Sequence, residues 1–291
     1  MSFFSRCSLI VVILGCTAWQ FAQNITFKEE VKLVEVYATV LDHKGHEVDG
    51  LTKDQFEVRD DGKVQRIRVF EPASGALSCA LLLDITGSMT FALPAVKNGA
   101  RQLIDSLRPE DSVGVYAFTE QLDELQQMST DHAASKRALT ELYTGGRTAL
   151  FDSITQLAID MEQRPGKKVI VVLTDGGDNA SVLNRYDAAE RAKNSGVPVF
   201  AIAEGEALHD GAAASLLGDL ARATGGAMYK ANHSKDIESA FEEIGRQVRN
   251  GYLLAFRPGP NQSKSWHEIQ VVIKNTTERL RVQARGGYSF E

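Results

Sequence analysis

Cysteine is scarce in this chain of 291 residues, which contains only three. Two of them, Cys7 and Cys16, fall in an N-terminal segment that we interpret below as a leader, so a mature exported chain keeps only Cys79. A single cysteine cannot form an internal disulfide, and the fold must therefore be stabilised by its core. Hydrophobic residues make up 43% of the sequence, which is ample for one large domain or two smaller ones.

The sequence also has fewer basic residues than acidic ones. The sequence has 38 acidic and 32 basic residues, which gives a net charge of -6 at pH 7. Binding to nucleic acid or to an anionic membrane calls for a basic surface, and the composition gives no support to either. We therefore expect no nucleic-acid partner.

Several familiar catalytic motifs are missing. The sequence has no H-E-x-x-H zinc motif, no G-x-S-x-G nucleophile turn and no Walker A loop, and its six histidines are scattered. We predict that the protein is not an enzyme. A metal-dependent hydrolase is the alternative, because a metal-bound water can hydrolyse esters when a base lies nearby.

Residues 1–22 have the features of a signal peptide. Arg6 precedes an apolar segment from Leu9 to Leu14, which is short for a membrane-spanning helix. We expect the leader to be removed and the protein to be periplasmic or secreted. Ile13-Leu-Gly-Cys16 also resembles a bacterial lipoprotein box, so the second interpretation is a lipoprotein anchored through Cys16 and the third is a retained leader.

The motif D-I-T-G-S follows directly on the apolar run Ala80–Leu83. That run predicts a parallel strand buried on both faces, which places Asp84 at its carboxyl end, where ligands bind in open α/β sheets. Gly87 permits a tight turn, so the oxygens of Asp84, Thr86 and Ser88 can point to one position. A carboxylate with neutral hydroxyls suits a hard cation such as Mg2+. Taken alone, the pentapeptide is better explained by an aspartate that caps the next helix.

Two further stretches supply oxygen ligands. T-G-G-R-T at residues 144–148 is a glycine-rich loop that ends in Thr148, just before a predicted helix. A second apolar run at residues 169–173 is followed by T-D-G, which contains Asp175. Because the carboxyl ends of parallel strands meet at one edge of a sheet, we expect these loops to converge with the first.

In order and rough spacing, D-I-T-G-S, G-G-R-T and L-T-D-G resemble the metal-ion-dependent adhesion site of von Willebrand factor type A (VWA) domains. The resemblance implies a bound Mg2+, with Mn2+ or Ca2+ as alternatives. The usual first motif of the family is D-x-S-x-S, and this chain has Thr86 in place of the middle serine. The hydroxyl is kept, so we expect the site to be kept as well.

The resemblance also implies how such a site works. Asp84, Thr86, Ser88 and Thr148 would hold the cation, and Asp175 would act mainly through water. If Asp84 is the only carboxylate bound directly, the cation keeps a net positive charge and accepts an acidic side chain from another protein. We therefore predict an exported, metal-dependent protein-binding module. A structural module with a vestigial metal site is a further alternative.

Other polar residues are predicted to surround the cation. Asp152 either holds the nearby loop or is simply a favourable acid in the first turn of a helix, and the second interpretation is the stronger. The remaining residues share a position in loops that follow strands of the sheet, and they are expected to form a partner-binding rim. They are Arg147, Asp178, Asn179, Glu204 and Glu206.

The chain divides into an alternating centre and two β flanks. Residues 76–250 predict an α/β, doubly wound, mostly parallel sheet. Residues 27–75 and 251–291 are expected to form one small, sandwich-like β domain, because chain ends often lie close together. The alternative is two strand pairs added to the edges of the central sheet. A hairpin is predicted with its turn at Asp60-Asp-Gly-Lys63 and its second arm from Gln65 to Phe70. The flanks resemble those of bacterial exported proteins related to VWA domains.

Overall fold

A six-stranded sheet lies at the centre of the computed structural model, which describes residues 33–208, 211–259 and 266–289, with only the backbone of residues 206, 207 and 211–214. The predicted leader, Cys16 and the side chain of Glu206 lie outside the described residues. The strand order is β10-β9-β8-β5-β6-β7, and all neighbours are parallel except the antiparallel edge strand β7. The strands are β5 (Leu77–Asp84), β6 (Ser112–Phe118), β7 (Leu122–Ser129), β8 (Lys167–Thr174), β9 (Val199–Glu204) and β10 (Met228–Ala231).

Helices cover both faces of this sheet, as the prediction of a doubly wound fold requires. The apolar strands place alternate side chains on opposite faces: Leu81 and Leu83 of β5 enter one core, and Ala80 and Leu82 enter the other. The first core is closed by α1 and α6, and the second by α3, α4 and α5. The helices are α1 (Leu93–Ser106), α2 (His132–Ala138), α3 (Leu150–Glu162), α4 (Arg185–Ser195), α5 (Gly211–Thr224) and α6 (Ser234–Arg249).

Strands from both ends of the described chain build two further sheets, of order β13-β1-β11-β4 and β14-β12-β2-β3. Their apolar side chains share one core, which includes Val36, Phe56, Phe256 and Ile269. These strands pair with one another rather than with the central sheet, so the predicted flanking β architecture is confirmed. The strands are β1 (Val34–Leu41), β2 (Phe56–Asp60), β3 (Lys63–Gln65), β4 (Ile67–Glu71), β11 (Tyr252–Phe256), β12 (His267–Ile273), β13 (Arg281–Ala284) and β14 (Gly287–Tyr288).

The predicted second arm of the hairpin, Gln65 to Phe70, is not one strand. β3 pairs with β2 across the predicted turn, whereas β4 pairs with β11 in the other sheet. The chain therefore crosses from one sheet to the other after Gln65, and this crossing buries Ile67 in the core that the two sheets share. The predicted boundaries of the leader, the central domain and the flanking β domain stay a prediction.

Of the helices in the described ranges, none is both long enough and apolar enough to cross a membrane.

Candidate metal centre

Asp84 ends strand β5 with its side chain completely buried. Its Oδ1 accepts hydrogen bonds from the backbone N of Thr86 at 2.9 Å and from the Oγ1 of Thr86 at 2.7 Å. The Oγ1 of Thr86 also lies 3.2 Å from the Oγ of Ser88. The chain then turns into a short 3-10 helix, Gly87–Thr90, which keeps the two hydroxyls on the same side as the carboxylate. Three predicted ligands therefore lie together.

The spacing of these oxygens suits Mg2+. In an octahedral shell with metal–oxygen distances of about 2.1 Å, neighbouring ligand oxygens lie about 3.0 Å apart, whereas the longer Ca2+ bonds of about 2.4 Å separate them by about 3.4 Å. The separations of 2.7 Å and 3.2 Å from Thr86 to Asp84 and Ser88 lie on either side of the Mg2+ value. The oxygens of Asp84, Thr86 and Ser88 are therefore close enough together to be neighbouring ligands of one hard divalent cation.

The neighbouring strand β8 supplies two groups to the same edge. The Oγ1 of Thr174 donates a hydrogen bond of 2.7 Å to the Oδ2 of Asp84, and the backbone N of Gly176 donates to that hydroxyl at 2.9 Å. Both carboxylate oxygens of Asp84 are thus oriented by hydroxyls. Asp175 is next in the chain and is buried. Sequence reasoning missed the role of Thr174, although its place before the predicted Asp175 was a usable signal.

Hydrogen bonds join the loop that contains Thr148 to the other two. On one side, the backbone N of Gly145 donates to the carbonyl of Ile85 at 2.8 Å. On the other side, the backbone N of Thr148 donates to the Oδ1 of Asn179 at 3.0 Å, and the backbone N of Asn179 donates to the carbonyl of Thr148 at 2.9 Å. Gly146 has a φ of +80°, a conformation that favours glycine and lets the loop fold back. The three predicted loops therefore converge.

Asp178 and Asp152 hold the loop that follows β8. The Oδ2 of Asp178 accepts hydrogen bonds from the backbone N of Phe151 at 2.9 Å and the Oγ of Ser181 at 2.7 Å. Asp152 accepts from the backbone N of Val182 at 2.8 Å. Asp152 also lies in the first turn of α3, so the structure shows both the helix-turn interpretation, which sequence reasoning ranked first, and the loop-holding one. The carboxylate of Asp178, predicted to face a partner, is occupied by bonds within the protein.

The predicted rim residues Arg147, Asn179 and Glu204 lie at the same edge. Arg147 is exposed, and its guanidinium donates a hydrogen bond to the backbone carbonyl of Asn179. Asn179 is also exposed, and Glu204 is half-buried at the end of β9. Gly205 brings the chain close to Asp175, because a Cβ at this glycine would lie 3.4 Å from the Cβ of Asp175.

Negative charge dominates the interior of this edge. Burial raises the pKa of Asp84 to about 6, and the charge of Asp175 adds to the rise while hydrogen bonds from Thr86 and Thr174 oppose it. Burial and Asp175 also raise the pKa of Glu204. Among the residues that the structure describes, no lysine, arginine or histidine forms an ion pair with any of these three carboxylates. A divalent cation would supply the missing positive charge.

A second group of potential ligands lies in the flanking sheets and was not predicted. Asp60, Asp61 and His267 each place one potential ligand atom within 4.8 Å of those of the other two. The Nδ1 of His267 is 3.1 Å from the Oδ1 of Asp60 and 3.3 Å from the Oδ2 of Asp61, and Tyr288 donates to the Oδ2 of Asp60 at 3.0 Å. These carboxylates already have an imidazole and a phenol as partners. The signal in the sequence was the D-D-G turn, but the strand register that brings in His267 was not readable.

The family profile of the von Willebrand factor type A domain matches residues 79–177, the segment that carries Asp84, Thr148 and Asp175. These residues lie in a VWA domain. A UPF0353 protein from Mycobacterium avium is 24% identical over 199 residues, or 58% of this chain, and the chain spans 59% of that relative. The presence of a VWA domain implies a protein-interaction or adhesion module, and such domains often bind a divalent metal.

Solved structures show the same fold. A von Willebrand factor type A protein from Catenulispora acidiphila has a TM-score of 0.53 at 16% identity and covers 91% of this chain and 76% of its own. The vWF domain of the type V pili tip protein Mfa5 from Porphyromonas gingivalis has a TM-score of 0.50 at 12% identity, covering 60% of this chain and 95% of its own. At these identities the likeness concerns the fold alone.

Proposed function

We propose that this protein is an exported module that binds a divalent cation at the carboxyl edge of its VWA sheet and, through that cation, an acidic side chain of a partner protein. Asp84, Thr86, Ser88 and Thr148 hold the cation, with Asp175 acting through water. The cation is Mg2+, and Mn2+ is expected to replace it. The predicted leader supports export.

The observation that carries this proposal is the arrangement around Asp84. A fully buried carboxylate receives only hydroxyl and amide hydrogen bonds, and two hydroxyl oxygens lie at distances that suit neighbouring ligands of Mg2+. Burying a carboxylate without a cation is costly, which is visible in the raised pKa of Asp84. A bound divalent ion removes that cost and explains why the residues are held as they are.

The charge balance explains how a partner is bound. If Asp84 is the only carboxylate that contacts the ion, a divalent cation keeps one positive charge among its direct ligands. The exposed guanidinium of Arg147 is held against the carbonyl of Asn179, and the carboxylate of Glu120 lies beside it, so the net positive charge at the opening comes from the cation. A carboxylate from outside is therefore favoured at a remaining coordination position.

Binding is favoured over catalysis. Proteins with VWA domains are generally non-enzymatic. Four histidines of the described residues contact groups elsewhere: the Nε2 of His132 is 2.8 Å from the carbonyl oxygen of Asp111 at the opposite edge of the sheet, and His46, His233 and His267 lie beside Asp42, Asp236 and Asp60. None of these four supplies a general base for metal-assisted hydrolysis at Asp84.

The test is capture of a partner by the immobilised exported protein from the exported fraction of its own cells, in Mg2+ and in EDTA. We expect a partner to be retained in Mg2+ and released by EDTA, and Asp84→Ala to retain none. Asp54→Ala is the matched control, because Asp54 is exposed in the flanking region. Equal retention in Mg2+ and EDTA would contradict the metal bridge.

A further inference from the structure

Large apolar side chains are exposed on the three loops that surround the metal centre. Phe91 is 95% exposed, Val182 is 94% exposed and Tyr143 is 79% exposed. In the described part of the chain, no other large hydrophobic residue exceeds 67% exposure. We call these three residues the apolar rim.

Phe91 and Tyr143 lie on neighbouring loops. The residues next to them, Thr90 and Thr144, are joined by their hydroxyls, whose Oγ1 atoms are 2.9 Å apart. Phe91 follows the metal-binding turn directly, and Tyr143 precedes the glycine-rich loop that ends at Thr148. These two aromatic side chains therefore border the site from the same pair of loops.

Val182 belongs to the third loop. Its backbone N donates to Asp152 at 2.8 Å, and Asn179 in the same loop bonds to both the backbone N and the carbonyl of Thr148. The loop of Thr148 thus has the loop of Phe91 on one side and the loop of Val182 on the other. The three apolar side chains come from all three loops that supply the site.

Exposure in the apolar rim does not come from poorly packed loops. Met89 and Ala92 flank the exposed Phe91 and are themselves buried, as is Leu142 before Tyr143. The backbone of Val182 is fixed by a carboxylate. The loops of Phe91 and Tyr143 are therefore anchored by buried residues and the loop of Val182 by a hydrogen bond, while these three side chains face solvent.

We propose, as an extension of the proposed function, that the apolar rim selects a partner carboxylate that is bordered by large apolar side chains on the surface of another protein. The positive charge of the cation accepts the acid, and Phe91, Tyr143 and Val182 pack against the apolar neighbours. A small carboxylic acid would satisfy the cation and leave the apolar rim exposed. This inference depends on the metal bridge of the proposed function.

The experiment uses two short synthetic peptides with one central aspartate, flanked by leucine and phenylalanine in one and by serine and glycine in the other. Binding to the exported protein in Mg2+ is measured by calorimetry. The apolar-flanked peptide is expected to bind at least about tenfold more tightly, a difference of about 1.4 kcal/mol, because only its side chains contact the apolar rim. Replacing its aspartate by asparagine is expected to abolish binding.

Single substitutions locate the preference. Val182→Ser and Phe91→Ser are expected to weaken the apolar-flanked peptide by about fivefold while leaving Mg2+ affinity unchanged. Val64→Ser is the matched control, because Val64 is an exposed valine of β3 at 63% exposure, outside the three loops. It is expected to change neither affinity.

The outcomes separate the two proposals. Equal, Mg2+-dependent affinity for both peptides would overturn the role of the apolar rim and leave the metal bridge standing, whereas absence of Mg2+-dependent binding to either peptide would overturn both. Self-association of the protein in Mg2+ that Val182→Ser abolishes would show a second copy on the apolar rim and contradict a separate partner. Binding of anionic lipid vesicles that depends on Phe91 and not on Mg2+ would contradict it as well.

Discussion

The two edges of the central sheet both bury charged side chains, but the partners of these charges differ between the edges. At the amino edge, Asp111 accepts hydrogen bonds from the backbone N of Leu77 and of Arg108, both at 2.8 Å. Lys167 donates to the carbonyl of Ala73 at 3.0 Å, and burial lowers its pKa to about 8. Each of these charges has main-chain partners within the protein, and the opposite charges of Asp111 and Lys167 also attract each other.

At the carboxyl edge, Asp84 accepts hydrogen bonds from two hydroxyls and one backbone amide, and no described residue of opposite charge forms an ion pair with Asp84, Asp175 or Glu204. Asp84 receives only bonds from Thr86 and Thr174, and the structure shows no described residue that donates to Asp175 or Glu204. Buried charge alone therefore does not mark a functional site. The informative feature is a buried charge whose compensating partner is missing, because something outside the protein must then supply it.

The largest expected effect is at the amino edge. Asp111→Ala leaves two main-chain amides without their acceptor in a buried position, each worth about 1–3 kcal/mol, so we expect the free energy of unfolding to fall by about 3 kcal/mol. Mg2+ affinity is expected to stay unchanged. Urea denaturation and calorimetry measure the two quantities. Loss of Mg2+ binding without loss of stability would break the comparison between the edges.

A smaller effect is expected at Thr86. Thr86→Val keeps the shape of the side chain and removes the hydroxyl. Mg2+ affinity should fall about tenfold or more, because the cation loses one oxygen ligand. Thr86→Ser restores the residue usual in the family and should bind Mg2+ nearly as well as the wild type. Calorimetric titration compares them. If both variants bound Mg2+ like the wild type, Thr86 would not be a ligand.

The smallest effect concerns pH at Lys167. Its pKa in the folded protein, about 8, lies below the ordinary value of 10.5, so the unfolded chain binds more protons between these values and stability rises with pH there. From pH 7 to pH 9, the wild type should gain about 1 kcal/mol relative to Lys167→Met. Denaturation curves of both proteins at the two pH values measure this gain. A constant difference between them would contradict a depressed pKa.

The core pattern explains why the convergence of the three loops could be predicted, whereas the metal-binding roles of their residues stay a prediction. Ala80–Leu83 and residues 169–173 are unbroken apolar runs, and such runs predict buried parallel strands whose ends must meet at one edge. The positions of Asp84 and Asp175 at this edge therefore followed from the strands that precede them. The role of Thr174 was not predicted, because it depends on the direction of one hydroxyl across two strands.

Elements with little apolar surface escaped prediction. α4 buries only Ala188, Ala192 and Ser195, and α2 is a short helix of seven residues, so neither presents an apolar stripe. The division of the predicted arm into β3 and β4 was also unreadable. The division depends on which sheet each half joins. β3 pairs with its neighbour β2, whereas β4 pairs with β11, which is distant in the sequence.

The most direct test of the account is the free energy of unfolding with and without Mg2+. With free Mg2+ at a hundredfold its dissociation constant, the wild type should gain about 2.7 kcal/mol, because only the folded state binds the ion. The variant Asp84→Ala should gain no free energy of unfolding in Mg2+. Asp84→Asn, which keeps the shape of the side chain and removes its charge, should gain none either. An unchanged unfolding free energy of the wild type in Mg2+, or an equal gain in both variants, would contradict a cation held by Asp84.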